Sequence, residues 1–61
     1  MEIIFNGKKT LCPDGLTLAA WLADRRVDAR VNIVERNGEV CRDAVLAAGD
    51  EINIYRVVAG G

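Results

Sequence analysis

Histidine is absent from the 61 residues, and cysteine occurs only at Cys12 and Cys41. Structural zinc and iron–sulfur clusters usually take four ligands, which two thiols do not supply. Without histidine there is also no visible pair of nucleophile and base, so the chain is not expected to catalyse. Both thiols are read as reduced, small, half-buried hydrophobes to which no chemistry is assigned. No apolar run approaches the roughly 18 residues needed to cross a bilayer. The strand-like Met1-Glu2-Ile3-Ile4-Phe5 leaves no charged or apolar region of a signal peptide. A cytoplasmic location away from membranes is expected. Nor is there an excess of one charge: eight basic residues face nine acidic ones, for a formal net charge of -1. Only Lys8-Lys9 and Arg25-Arg26 are adjacent basic pairs, and nucleic-acid binding normally needs a basic face. Nucleic acid is therefore not expected as a partner.

What is present is the composition of a folded domain, 51% hydrophobic and 28% charged. A chain of about 60 residues buries only some 60% of its unfolded surface, so one small core is expected over 1–61, with no room for an enclosed catalytic pocket.

The pattern along the chain sets the order of elements. Met1, Ile3 and Phe5 share one face of an alternating run. Asn6-Gly7 is a strong hairpin signal, and Lys8 to Cys12 can return as the second strand. Pro13-Asp14-Gly15 supplies turn chemistry, and Thr17 is suited to cap a helix starting at Leu18. Leu18, Trp21, Leu22 and Arg25 stand at helical spacing, so one apolar stripe should face a sheet. Leu22 is expected to be more buried than Trp21, because tryptophan is seldom fully enclosed. Arg25 and Arg26 should lie in the last turn, where positive charge complements the helix dipole. Ala20, three residues after Thr17, lacks the Glu or Gln of a full capping box. Val31 to Val34 alternates, Asn37-Gly38 marks a second tight turn before Glu39-Val40-Cys41, and Ile52 and Ile54 alternate with Asn53 and Tyr55 in a last strand. Residues 42–48 read equally as loop or helical turn, with Leu46 as the anchor. The order β-β-α-β-β-β, with one helix on one face of a mixed sheet, is an α+β arrangement. It is that of the β-grasp, or ubiquitin-like, roll, in which the first and last strands run parallel at the centre.

The closing Val57-Val58-Ala59-Gly60-Gly61 is expected to be a flexible tail. Its terminal glycines carry no Cβ to shield neighbouring atoms, and five extended residues reach up to about 17 Å. Such an end suits insertion into a narrow active site, the behaviour of a substrate. If Ile52 and Ile54 face the helix, Tyr55, Val57 and Val34 are expected on the opposite face as an apolar docking surface. Arg56 could add a charge to it.

Ile3-Ile4-Phe5-Asn6-Gly7, Asp14-Gly15-Leu16-Thr17-Leu18, Val31-Asn32-Ile33, Asn37-Gly38-Glu39-Val40, and Gly49-Asp50-Glu51-Ile52 through Gly61 together resemble the ThiS-type sulfur carrier proteins of thiamine biosynthesis. The match runs the whole length. The resemblance implies that an E1-like adenylyltransferase of the ThiF type uses ATP and Mg²⁺ to adenylate the Gly61 carboxylate. The carrier itself holds no cofactor. A persulfide donor then leaves a thiocarboxylate, whose sulfur passes to a thiazole synthase of the ThiG type. Gly61 is the reacting residue in this scheme, Gly60 allows close approach, and Ala59, Val58 and Val57 contact the partner's channel. The carrier is expected to be a monomer when alone. Similar carriers serve molybdopterin or tungsten cofactor, cysteine and siderophore pathways. Interaction modules of the TGS type share the fold and a similar Asp-Gly-x-Thr start to the helix.

Overall fold

Asn-Gly pairs turn both hairpins, with φ of 49° and 81° at Asn6 and Gly7 and of 53° and 85° at Asn37 and Gly38. Two consecutive positive φ values match the right-handed twist of the flanking strands, and glycine takes the second without a Cβ clash. The structure, a computed structural model, describes residues 1–57. β1 (Glu2–Phe5) and β2 (Lys8–Leu11) form the first hairpin, α1 (Leu18–Asp24) follows, β3 (Asn32–Arg36) and β4 (Glu39–Val40) form the second hairpin, and β5 (Glu51–Arg56) closes the sheet. The strand order is β2-β1-β5-β3-β4. β5 pairs parallel with β1 and antiparallel with β3. This is the β-grasp fold, with the last strand in sequence at the centre of the sheet.

Each end of α1 is closed by specific hydrogen bonds. A helix start leaves its first N–H groups without intrahelical partners. Here the Leu18 N–H donates to the Ala44 carbonyl (2.7 Å), Ala19 to Asp43 Oδ1 (3.1 Å) and Ala20 to Thr17 Oγ1 (3.1 Å). Thr17 is thus the N-cap, and Asp43, 24 residues along the chain from Ala19, accepts from a further N–H of the first turn. The segment 42–48, readable either way from sequence, is a loop that seats Leu46 in the core and caps the helix. At the other end the Arg26 N–H donates to Ala23 (3.1 Å) and Val27 to Leu22 (2.9 Å), with Arg26 at φ 57°. This pattern is a Schellman motif. It corrects the expected placement of Arg25 and Arg26: Arg25 is the C-cap and Arg26 lies beyond it, so neither is in the last turn.

The core lies between α1 and one face of the sheet. Ile3, Cys12, Leu18, Trp21, Leu22, Val34, Leu46 and Ile52 are buried together. Each fully buried aliphatic or aromatic side chain contributes about 1.5–3 kcal/mol. Trp21 is as enclosed as Leu22, each 3% exposed, against the expected order. Phe5 meets its ring edge-on at 5.5 Å, and the Arg25 guanidinium lies over it at 3.7 Å. Val34 also departs from expectation. Set opposite Ile54 in the β3–β5 register, it points toward the helix and is buried, so it is a core residue rather than a docking one.

Asp50, just before β5, is a buried charge that the sequence does not announce. Its Oδ2 accepts from Arg36 Nε (2.9 Å) and the Ala47 N–H (2.8 Å), and its Oδ1 from Asn37 Nδ2 (3.0 Å). Burial alone raises a carboxyl pKa, but here the bonds from Ala47, Asn37 and Arg36 outweigh it and hold the group below its ordinary value. Asn37 Oδ1 in turn accepts from the Glu51 N–H at 2.9 Å. The network therefore fixes the start of β5 against the β3–β4 turn.

Candidate functional site

Side-chain alternation gives the sheet two unlike faces. Ile52 and Ile54 belong to the helix side, so Asn53 and Tyr55 belong to the outer side. The register puts Ile33 directly opposite Tyr55, and the Val57 N–H donates to the Val31 carbonyl at 3.1 Å. Val31, Ile33, Tyr55 and Val57 are all exposed, between 45% and 52%. Along the outer side of β5 the residues run Glu51, Asn53, Tyr55, Val57, polar at the start and apolar at the end. The apolar patch therefore lies where the chain continues to Val58.

The structure treats the expected docking residues differently. Tyr55 and Val57 are on the outer face as expected. Val34 is in the core. Arg56 is exposed but shares the parity of Ile52 and Ile54, so it lies on the side opposite Tyr55 and does not join that patch. Ile33 of β3, with Val31 just before the strand, is exposed on that outer face instead. Their exposure could have been inferred from the register once Ile33 was paired with Tyr55. Val57, expected as the first tail residue, donates its N–H to the carbonyl of Val31, just before β3. Val58, Ala59, Gly60 and Gly61 lie outside the described residues.

The platform behind the patch is tied on both sides. β1 is joined to β5 by Ile4 N–H to the Asp50 carbonyl (2.8 Å) and Asn6 N–H to the Ile52 carbonyl (2.9 Å). The Ile54 N–H then donates to the side-chain Oδ1 of Asn6 at 2.9 Å. β3 covers the other edge with a five-residue register. A central strand held on both edges is among the stiffest parts of a small domain.

No group of three or more His, Cys, Asp or Glu side chains is placed to bind a metal among the described residues. A pocket of about 80 Å³ between β3 and β4, lined in part by Val34, Val40 and Cys41, is far below the roughly 300–1,000 Å³ of ligand sites. Cys12 is buried, and burial pushes its thiol pKa up, away from the reactive thiolate.

A sequence profile of the ThiS family matches residues 2–61. The chain belongs to the ThiS family. No curated protein sequence matches it. Membership makes a sulfur-carrier role the coarse functional statement: a ThiS-family chain is a small carrier rather than a catalyst, and works with E1-like and synthase partners in general. In this ThiS-family chain the exposed apolar patch of Val31, Ile33, Tyr55 and Val57 lies at the end of β5. No helix among the described residues is long and apolar enough to cross a membrane.

Proposed function

We propose that this protein is the sulfur carrier for formation of the thiazole moiety of thiamine, with the Gly61 carboxylate as its reacting group. The reading is supported by the family match over residues 2–61, which takes in the Val57-Val58-Ala59-Gly60-Gly61 end. A carboxylate has no good leaving group. A Gly61 oxygen attacks the α-phosphorus of ATP on a ThiF-type adenylyltransferase and releases pyrophosphate. Mg²⁺ and the partner's site supply positioning and charge stabilisation. The terminal sulfur of a persulfide then attacks the acyl carbon, and AMP leaves. A second thiol then attacks the donor's sulfur in the resulting acyl disulfide, releasing the thiocarboxylate and leaving the donor in a disulfide with that thiol. Transfer of that sulfur to a ThiG-type thiazole synthase completes the cycle.

The carrier's own residues bind and position. Val31, Ile33, Tyr55 and Val57 dock against an apolar surface of the partner, while Val58 and Ala59 line its channel. Gly60 lets the backbone pass where a Cβ would obstruct.

The test is mass spectrometry of the intact chain after incubation with the adenylyltransferase, ATP, Mg²⁺ and a persulfide donor. One oxygen should be replaced by sulfur, at Gly61. The product should then support thiazole formation by the synthase. A chain that is adenylated and sulfurated but does not serve the synthase belongs to another pathway.

A further inference from the structure

The asparagines of the two Asn-Gly turns grip the central strand from opposite edges. On the β1 edge the Asn6 N–H donates to the Ile52 carbonyl and its Oδ1 accepts from the Ile54 N–H, both at 2.9 Å. On the β3 edge the Asn37 N–H donates to the Glu51 carbonyl at 2.8 Å and its Oδ1 accepts from the Glu51 N–H at 2.9 Å. One difference separates them. Asn37 also uses its amide nitrogen, which donates to Asp50 Oδ1 at 3.0 Å, whereas the side chain of Asn6 bonds to the described residues through its oxygen alone.

The same dipeptide carries chemistry of its own, and asparagine is among the thermolabile residues. A base takes the glycine N–H proton, and the nitrogen attacks the asparagine Cγ. The new C–N bond closes a five-membered succinimide, and the side-chain nitrogen takes up a proton and leaves as ammonia. Water then opens the ring. Opening at Cγ leaves aspartate, and opening at the main-chain carbonyl leaves isoaspartate, in which the chain runs on through Cγ. Nothing is oxidised or reduced, and water is the only reactant consumed. Glycine favours the attack because no Cβ shields its nitrogen. All four residues of the two turns are exposed, and nothing lies within 4 Å of where a Cβ on Gly7 or Gly38 would stand. Neither glycine N–H donates to a described backbone group. The asparagine side chain must still turn toward that nitrogen, so its own hydrogen bonds have to break first.

We propose that Asn6 and Asn37 are sites of spontaneous deamidation, unequal in rate and in consequence: Asn6 converts readily and its aspartate product keeps the fold, whereas Asn37 is protected by Asp50 and its aspartate product loosens the start of β5. At position 6 a carboxylate still accepts from the Ile54 N–H, so the grip on β5 survives. At position 37 one carboxylate oxygen can accept from the Glu51 N–H, but the other takes the place of the donor to Asp50 Oδ1. Two carboxylates then stand at hydrogen-bond distance and repel. Asp50 is buried, and Arg36, already bound at Oδ2, is the one cation bonded to it among the described residues. Asp50 thus guards the amide on which its own place depends. Isoaspartate lengthens the main chain of either two-residue turn, so the aspartate products are what tell the two sites apart.

The test is incubation of the full chain at mildly alkaline pH, with peptide mapping by mass spectrometry at timed intervals. Asn6 should convert about tenfold or more faster than Asn37, the factor expected from one further hydrogen bond to a charged group. Asp50→Ala should speed conversion at Asn37 by about tenfold and leave the rate at Asn6 unchanged. Asp50→Asn carries that comparison, with a smaller acceleration, if the alanine variant does not fold. The products are read separately by thermal melting. Asn37→Asp should lower the melting temperature by about 5 °C or more, and Asn6→Asp should change it little. Equal conversion rates at the two sites, or equal acceleration of both by the Asp50 variants, overturns the protection of Asn37. Equal melting temperatures for Asn37→Asp and Asn6→Asp overturns the difference in consequence.

Discussion

The amide N–H of Ile54 donates to the side-chain oxygen of Asn6, 48 residues earlier in the chain and 2.9 Å away. Asn6 therefore does two things. Its positive φ helps turn the first hairpin, and its side chain stands in for the next rung of the parallel ladder between β1 and β5. Asn6→Gly keeps the turn conformation and removes only the second role. Amide hydrogen exchange at Ile54 should become markedly faster, with a global loss near 1 kcal/mol. Unchanged exchange at Ile54 would show that the side-chain bond does not hold β5.

Asp50 makes stability depend on acid. Its folded pKa is lowered, so its contribution is fully present above the ordinary carboxylate value of 3.8 and is lost as pH falls through the lower folded value. The melting temperature should drop on acidification from about pH 5 toward pH 2. Asp50→Asn should be less stable at neutral pH and show a weaker acid dependence. Asp50→Ala should cost about 3 kcal/mol, since it leaves Arg36 without its carboxylate and the Ala47 N–H without an acceptor.

Asp50 and Asn6 show where reading from sequence reached and where it stopped. Most of what has a local pattern was legible: Asn6-Gly7 and Asn37-Gly38 as turns, Thr17 as a cap, the Leu18-Trp21-Leu22 stripe, and the order of elements, though not the end of the helix, which stops before Arg25 and Arg26. What joins distant segments was not. Asp43 capping α1, Asn6 holding Ile54, and Asp50 binding Arg36 and Asn37 depend on contacts between parts of the chain with no shared periodicity. Val34 failed for a related reason. In Val31-Asn32-Ile33-Val34 both parities carry an apolar residue, and only the register with β5 decides which side faces the helix. Pairing Val34 with Ile54 assigned it to the core and left Ile33 outside with Tyr55.

Arg26 offers a gain in stability. Arg26→Gly relieves the left-handed backbone at the end of α1 and should stabilise the fold by about 0.5–1 kcal/mol. For a domain of this size that is roughly 2–8 °C in melting temperature. A fall in melting temperature would mean that the arginine side chain contributes more than the strain removes.

The two faces of the sheet should respond oppositely to truncation. Leu22→Ala should destabilise by about 2–5 kcal/mol. Ile33→Ala and Tyr55→Ala should change the melting temperature little, yet raise KM for adenylation. Equal melting effects on both sides would undo the assignment of inner and outer faces.

The two cysteines should separate by access. Cys12 is buried with a raised pKa, whereas Cys41 is half-buried. Iodoacetamide should modify Cys41 first, and Cys12 only at the rate at which the fold opens. Peptide mapping after timed quenching reads the order directly.

The placement of β5 between β1 and β3 also governs how the chain is made. On the ribosome both hairpins emerge before the strand that joins them. Until Glu51 to Arg56 clears the exit tunnel, β1 and β3 each expose an open edge, with Ile3 and Val34 uncovered beside it. Open strand edges invite pairing with other chains. A nascent chain stalled before Glu51 would then be sticky rather than merely unfinished, and the segment that completes the fold is the one that leads directly to the residues proposed to react.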